Sequence, residues 1–222
     1  MHVYHFVPGS YGLENLKLRR LKIATIQDLN DPFELLCIDL SNPDLRDGMR
    51  EWKAEVARRF GMLCFSLSWR NPVQWSHYAD KHRGLCLAFE VPNDSVQPVT
   101  YSGLRSHQEA SDLLERGAST LNEATMLKFL STKYAHWHYE KEVRAFLALE
   151  ERDPVTQLYF TEFSDKLKLV EVIVGSESDL TRQELNEALG SLAPAVSLRK
   201  VRLAFKSFRV TTQRQAAMGL TL

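Results

Sequence analysis

The chain has 222 residues, 44% of them hydrophobic, enough to bury a sizeable core as one large domain or two small ones. Lys plus Arg and Asp plus Glu both total 28, so no global basic field advertises nucleic-acid binding, although a local basic groove stays open. The three cysteines, Cys37, Cys64 and Cys86, sit in apolar contexts without CxxC spacing. They fit buried, reduced, unpaired thiols of a cytoplasmic protein better than a disulfide scaffold or a cysteine zinc site. MHVYHFVPGS lacks a basic region followed by an apolar core, and no window approaches the roughly 18–20 apolar residues of a membrane span.

In chain order, His2 to Val7 reads as a strand ended by Pro8-Gly9-Ser10, and a brief helix is expected over Leu13–Arg20. Asp28–Phe33 is loop chemistry, because Asn and Asp bond their own backbone and Pro32 disfavours helix before it. Leu45–Phe60 has helical spacing, with Trp52, Val56 and Phe60 on one face. Met62–Leu67 is a strand. Asn71-Pro72 then starts a short helix carrying Gln74, Trp75, His77 and Tyr78, with His82 nearby.

Gly84 lets the chain turn sharply into a strand over Gly84–Val91, and Val96–Tyr101 is expected to pair with it. Gln108–Ser131 reads as helix interrupted near Gly117, and Val143–Leu149 as strand, with Leu158–Phe160 pairing nearby. Leu169–Val174 is an apolar strand, Leu180–Leu189 a helix with Thr181 as an early cap, and Val201–Phe205 and Phe208–Val210 are terminal strands. The expected architecture is a single α+β domain over residues 1–222, with mixed or antiparallel strands among short helices.

Three stretches concentrate chemistry. NDPFE, Asn30–Glu34, is either a capped turn with Phe33 as a core anchor or a source of ligand-facing carboxylates, Asp31 and Glu34. In NPVQWSHYADKHRG, Trp75 and Tyr78 can share a helix face; with Ser76 and His77 they suit a stacked planar ligand, or simply pack a core. His77 and His82 are five apart and miss the geometry of a helical zinc pair, so no metal site is expected. In KYAHWHYEKEVRAFLAL, Glu140 and Glu142 would share one strand face, where like charges raise each other's pKa. The alternative is a solvated start to a strand, with Lys141 and Arg144 neutralising the acids.

The order NDPFE, CFS, WSHYADKHRG, KYAHWHYEKEVR, LVEVIVG resembles the bacterial domain-of-unknown-function family 2971, from the first strand to the last apolar one. A looser resemblance is to ADP-ribosyltransferases. One branch carries a basic residue on its first strand, a Ser on the second and Glu-x-Glu on the third; here these are His5 in VYHF, Ser66 in CFSLS, and Glu140-Lys141-Glu142. The other branch places His, Tyr and Glu there, which would be His5, Tyr78 and Glu142. The first-strand Arg of the former branch is absent.

This second resemblance implies an ADP-ribosyltransferase-like fold and an enzyme that uses NAD to modify an unknown protein or nucleic-acid acceptor, in a toxin or phage-defence setting. Glu142, Glu140 and Tyr78 would be catalytic. Tyr4, His5, Asp31, Glu34, Ser66, Trp75, His77 and Arg144 would line the NAD site. Cleaving the nicotinamide–ribose bond passes through an oxocarbenium-like cation, which a fixed carboxylate such as Glu142 would stabilise. Glu140 would orient the acceptor, Tyr78 or Trp75 would stack nicotinamide, and His5 would bind the adenosine ribose or phosphate. Two rivals stay open: a metal-dependent nuclease built on Asp31, Glu34, Glu140 and Glu142, and a non-catalytic domain binding a nucleotide or peptide through Trp75, Tyr78 and Trp137.

Overall fold

The computed structural model describes residues 1–117 and 121–214. β1 (His2–Val7) is buried from both sides: Val3 and Val7 enter one core, while Tyr4 and Phe6 pack against another. Pro8 opens α1 (Gly9–Leu18), one turn earlier than its apolar spacing suggests, and Arg19 ends it in the left-handed conformation at φ 52°. β2 (Arg20–Lys22) follows. α2 (Pro43–Arg59) starts where Asn42 accepts hydrogen bonds from the Asp44 and Leu45 amides and Pro43 occupies the first turn. Val56 is buried as expected, but Phe60 is exposed and belongs to β3 (Phe60–Ser66), not to the helix.

The remaining elements are α3 (Pro72–Tyr78), β4 (Leu85–Glu90), β5 (Gln97–Pro98), β6 (Thr100–Ser102), α4 (His107–Arg116), α5 (Glu123–Leu130), β7 (Thr132–Tyr134), β8 (Glu142–Ala148), β9 (Phe160–Glu162), β10 (Lys168–Val174), α6 (Arg182–Leu189), β11 (Ser197–Leu203) and β12 (Val210–Thr212). The main sheet runs β12-β11-β10-β4-β1-β3-β8-β5. Its β10–β11 pairing is parallel and the other pairings are antiparallel. The result is the expected α+β fold with a mixed sheet. Of the expected helical span 108–131, residues 118–120 lie outside the described residues, as do residues 215–222 of the expected single domain.

Two pairings differ from expectation. Residues 96–101 do not join β4: Gln97 and Pro98 edge β8, and Thr100–Ser102 runs parallel to β7. Phe160–Glu162 pairs with β2 instead of lying beside β8. Short runs such as these have little periodicity of their own, so tertiary context assigns their partners. The role read for Gly84 also changes. A Cβ there would collide with the Val7 carbonyl oxygen, so close approach of two backbones, and not a turn torsion, requires the glycine.

The sheet separates two environments. On one face Val3, Leu63, Phe65, Leu87, Phe89, Val143 and Val172 pack with Leu16 of α1 and Leu185 of α6. On the other lie a Trp69–Trp75–Ile173 cluster and, around Met62, Leu35 and Val56. Alternation along β8 puts Val143 on the first face and Glu142 and Arg144 on the second, opposite Ser66 and Cys64 of β3. Cys86 is fully buried, whereas Cys37 and Cys64 are only half-buried, a correction to the expectation of three buried thiols; all three are unpaired. Among the described residues no helix is long and apolar enough to cross a membrane.

Candidate functional site

Beneath the second face, at the end of β8, five charged side chains meet out of water: Glu34, Lys133, Glu140, Glu142 and Arg144. Arg144 is completely buried. Its Nη1 and Nη2 grip Glu34 at 2.9 and 2.7 Å, its Nε and Nη2 grip Glu142 at 2.7 and 3.1 Å, and Nη1 also donates to the Leu130 carbonyl at 2.7 Å. A guanidinium suits this place, because its planar donors can serve two carboxylates at once. Lys133 Nζ lies 2.6 Å from Glu140, 3.1 Å from Glu142 and 3.6 Å from Glu34. Three carboxylates thus share two cations.

The local chain explains the convergence. Ala135–Glu140 is a 3-10 turn, so Glu140 is not a strand residue as its alternation with Glu142 suggests. Lys141 then adopts φ 48°, uncommon for a side chain with a Cβ, which turns the backbone between the two acids. Its amide donates to His138 O at 3.2 Å and its carbonyl accepts from Leu67 N–H at 3.0 Å. Both acids face inward and Lys141 faces solvent. Ser66 Oγ donates to the Glu140 carbonyl at 2.6 Å and Gln74 Nε2 donates to the same oxygen at 3.0 Å, so β3 and α3 fix that turn. The Glu142 amide donates to Tyr101 Oη at 2.8 Å.

The two acids differ electrostatically. Burial disfavours the Glu142 carboxylate, but Arg144 and then Lys133 more than offset it and hold its pKa down to about 2. For Glu140 burial wins: its pKa is raised despite Lys133 and a hydrogen bond from Tyr78 Oη. Burial also raises the Tyr78 phenol, with Glu140 adding to the effect, so the phenol stays a donor. For Lys133, burial is outweighed by Glu142, Glu140 and Glu34, and its pKa rises.

The predicted residues divide clearly. Glu34, Tyr78, Glu140, Glu142 and Arg144 converge, so the NDPFE segment reaches the cluster through Glu34. Asp31 is buried beside it; its Oδ1 accepts from Phe33 N–H at 2.9 Å, while Oδ2 has no hydrogen-bond partner among the described residues. Phe33, read as a possible core anchor, is exposed. Ser66 supports the Glu140 backbone and does not face a cleft of its own.

Four residues require correction. His5 lies on the opposite face of the sheet, edge-on to Phe65, with Nδ1 3.1 Å from Cys64 O, and its burial lowers its pKa. Trp75 has no exposed surface; its indole N–H donates to Trp69 O at 2.6 Å and its ring stacks on His82, so it offers no face to a ligand. Tyr4 packs into that same tryptophan cluster. His77 is exposed and stacks on Tyr139, with ring centroids 6.3 Å apart, beside the site and not within it.

Sequence reasoning missed Lys133. It stands nine residues before Glu142, and nothing in its neighbourhood marks it as buried; the parallel β6–β7 pairing, which sets Lys133 opposite Tyr101, brings it in. Lys133 also lines a cleft of 200 Å³ with Phe33, Cys37, Leu104, Arg105 and Tyr134. Among the described residues no group of three or more His, Cys, Asp or Glu side chains is arranged to hold a metal ion. Between the carboxylates stand an ammonium and a guanidinium, already supplying the positive charge a metal would bring.

No curated protein and no solved structure matches the chain. Residues 74–145 match the model of a family described as "Protein of unknown function (DUF2971)". That span contains WSHYADKHRG, Lys133 and YEKEVR, whereas NDPFE lies outside it. From Gln74 to Ala145, through α3 and the lysine, glutamates and arginine of the buried cluster, the chain is similar to the DUF2971 family.

Proposed function

We propose that the protein is an ADP-ribosyltransferase-like enzyme that consumes NAD and acts on a macromolecular acceptor, with its chemistry at the Glu140–Tyr78 end of the cluster. The observation that carries this reading is Glu140, a buried carboxylate of raised pKa held by Lys133 and Tyr78 where acids outnumber cations. Surplus negative charge in a dry place favours an oxocarbenium-like cation. Glu142, whose two oxygens are engaged by Arg144 and Lys133, positions those cations. The unpartnered Asp31 Oδ2 fits a ribose hydroxyl, and Lys133 is the side chain between the 200 Å³ cleft and the glutamates. NAD supplies the nicotinamide–ribose bond to be broken. A toxin or phage-defence role for such an activity rests on analogy alone.

The test is nicotinamide release by wild type, Glu140→Gln and Tyr78→Phe. Loss of one well-placed electrostatic contact should cost roughly 10²–10³ in rate for Glu140→Gln with NAD binding retained. Wild-type protein that neither binds nor turns over NAD, with candidate acceptors present, would refute the reading.

A second reading, a non-catalytic nucleotide- or peptide-binding domain, is favoured by the complete burial of Arg144 and its saturation of Glu34 and Glu142, the arrangement of a structural ion network. It predicts ligand binding without turnover and no effect of Glu140→Gln on affinity.

A further inference from the structure

On the surface, Arg20, Lys22, Arg50, Arg58, Arg83, Lys128 and Arg199 each lie within ion-pair distance of a carboxylate. Other surface cations stand unpaired, and in one cleft three of them converge. Arg70, Lys141 and Arg209 line an open cavity of 310 Å³ together with Ser68, Tyr139 and Phe208, and no Asp or Glu lines it. None of the three cations has a carboxylate partner among the described residues.

The three come from separate segments that the fold ties together. The Val210 amide donates to the Arg70 carbonyl at 2.9 Å, joining the start of β12 to the loop before α3, and Leu67 N–H holds the Lys141 carbonyl at 3.0 Å. Asn71 Nδ2 binds the Tyr139 carbonyl at 2.9 Å. Arg70 lies over the Trp69 ring at 4.5 Å, which orients its guanidinium. Lys141 reaches the cleft through its left-handed backbone at φ 48°, a costly conformation of the kind that clusters at binding sites. Converging like charges repel one another until an anion joins them. At the rim, Phe208 is 99% exposed and Tyr139 half-buried, two aromatic faces beside the cations.

We propose that this cleft binds the phosphate of a nucleotide unit, with Arg70, Lys141 and Arg209 on the phosphate oxygens and the base stacked on Phe208 or Tyr139. Cations interleaved with exposed aromatics are the arrangement that takes single-stranded nucleic acid, and a free nucleotide offers the same chemistry. The site stands on the cleft alone and does not rest on NAD turnover.

Fluorescence anisotropy of a labelled single-stranded oligothymidylate, with AMP as competitor, tests it over a salt series. Wild type should bind at low salt and weaken as salt rises. An Arg70→Gln/Arg209→Gln double variant should bind about tenfold more weakly or worse, with a log–log salt slope shallower by about 0.7 per charge removed. Phe208→Ala should weaken binding without changing that slope. An oligonucleotide preferred over AMP by about tenfold or more identifies a strand as the ligand, and parity identifies a free nucleotide; both support the site. All the substituted side chains are exposed, so melting temperatures serve as the folding control. Absence of oligonucleotide and AMP binding at low salt, or variants that bind like wild type, would overturn the proposal.

Discussion

Residues 133–144 present two opposite charge arrangements to the two sides of one short segment. Inward, Lys133, Glu140, Glu142 and Arg144 join Glu34 in a cluster where each charge has a partner. Outward, Lys141 joins Arg70 and Arg209 in a cleft without a carboxylate. Desolvation explains the first: a buried charge without a partner costs several kcal/mol, so pairing is a condition of folding. Nothing forces pairing in water, so a convergence of unpaired cations there points to something outside the chain. Within the paired set Arg144, with Glu34 and Glu142, keeps the architecture, and the unpaired outer set is available for binding.

The comparison can be broken most directly at Arg144. Arg144→Met would strand Glu34 and Glu142 as buried charges, and urea unfolding should show a loss of about 3–5 kcal/mol. A loss under about 1 kcal/mol would mean that the cluster is not structural. Glu142→Gln should come next. Its carboxyl is held at about 2 against an ordinary 4.5, a difference worth about 3 kcal/mol at neutral pH. Because the folded pKa is the lower one, this contribution is present above pH 4.5 and is lost as pH falls toward 2. Wild-type stability should therefore drop across that window, and Glu142→Gln should flatten the drop. On the outer side, Arg70→Gln and Lys141→Gln should each change stability by about 0.5 kcal/mol or less, since both side chains are exposed. A larger destabilisation there would give the outer cations a structural role.

Much of the frame was legible in the sequence, because caps and alternation are local. Asn71-Pro72 opens α3 with the Asn71 side chain accepting from Val73 N–H, and Thr181 with Glu184 forms a capping box at α6. Which segments would meet was only partly legible. NDPFE and YEKEVR are joined by Arg144 and Glu34, 110 residues apart, and NDPFE's carboxylates marked it as a candidate. The burial of Trp75 and the far-face position of His5 follow from β1 pairing with both β3 and β4, a fact of sheet order that no local spacing carries. Lys133 was hidden for the same reason. The outer cleft combines Arg70, Lys141 and Arg209 across 139 positions of a chain with no net charge, so composition could not point to it.

The proposed function separates two glutamates two residues apart: under it, Glu142 holds the fold and Glu140 serves the chemistry. Urea unfolding and nicotinamide release, measured together on Glu140→Gln and Glu142→Gln at pH 7, test it most directly. Burial raises the pKa of Glu140, whereas Glu142 is held low, so Glu140→Gln should cost less stability than Glu142→Gln, while turnover falls by roughly 10²–10³. Glu142→Gln should lose about 3 kcal/mol of stability. Equal destabilisation by the two substitutions, with turnover lost only in proportion to unfolding, would contradict the account.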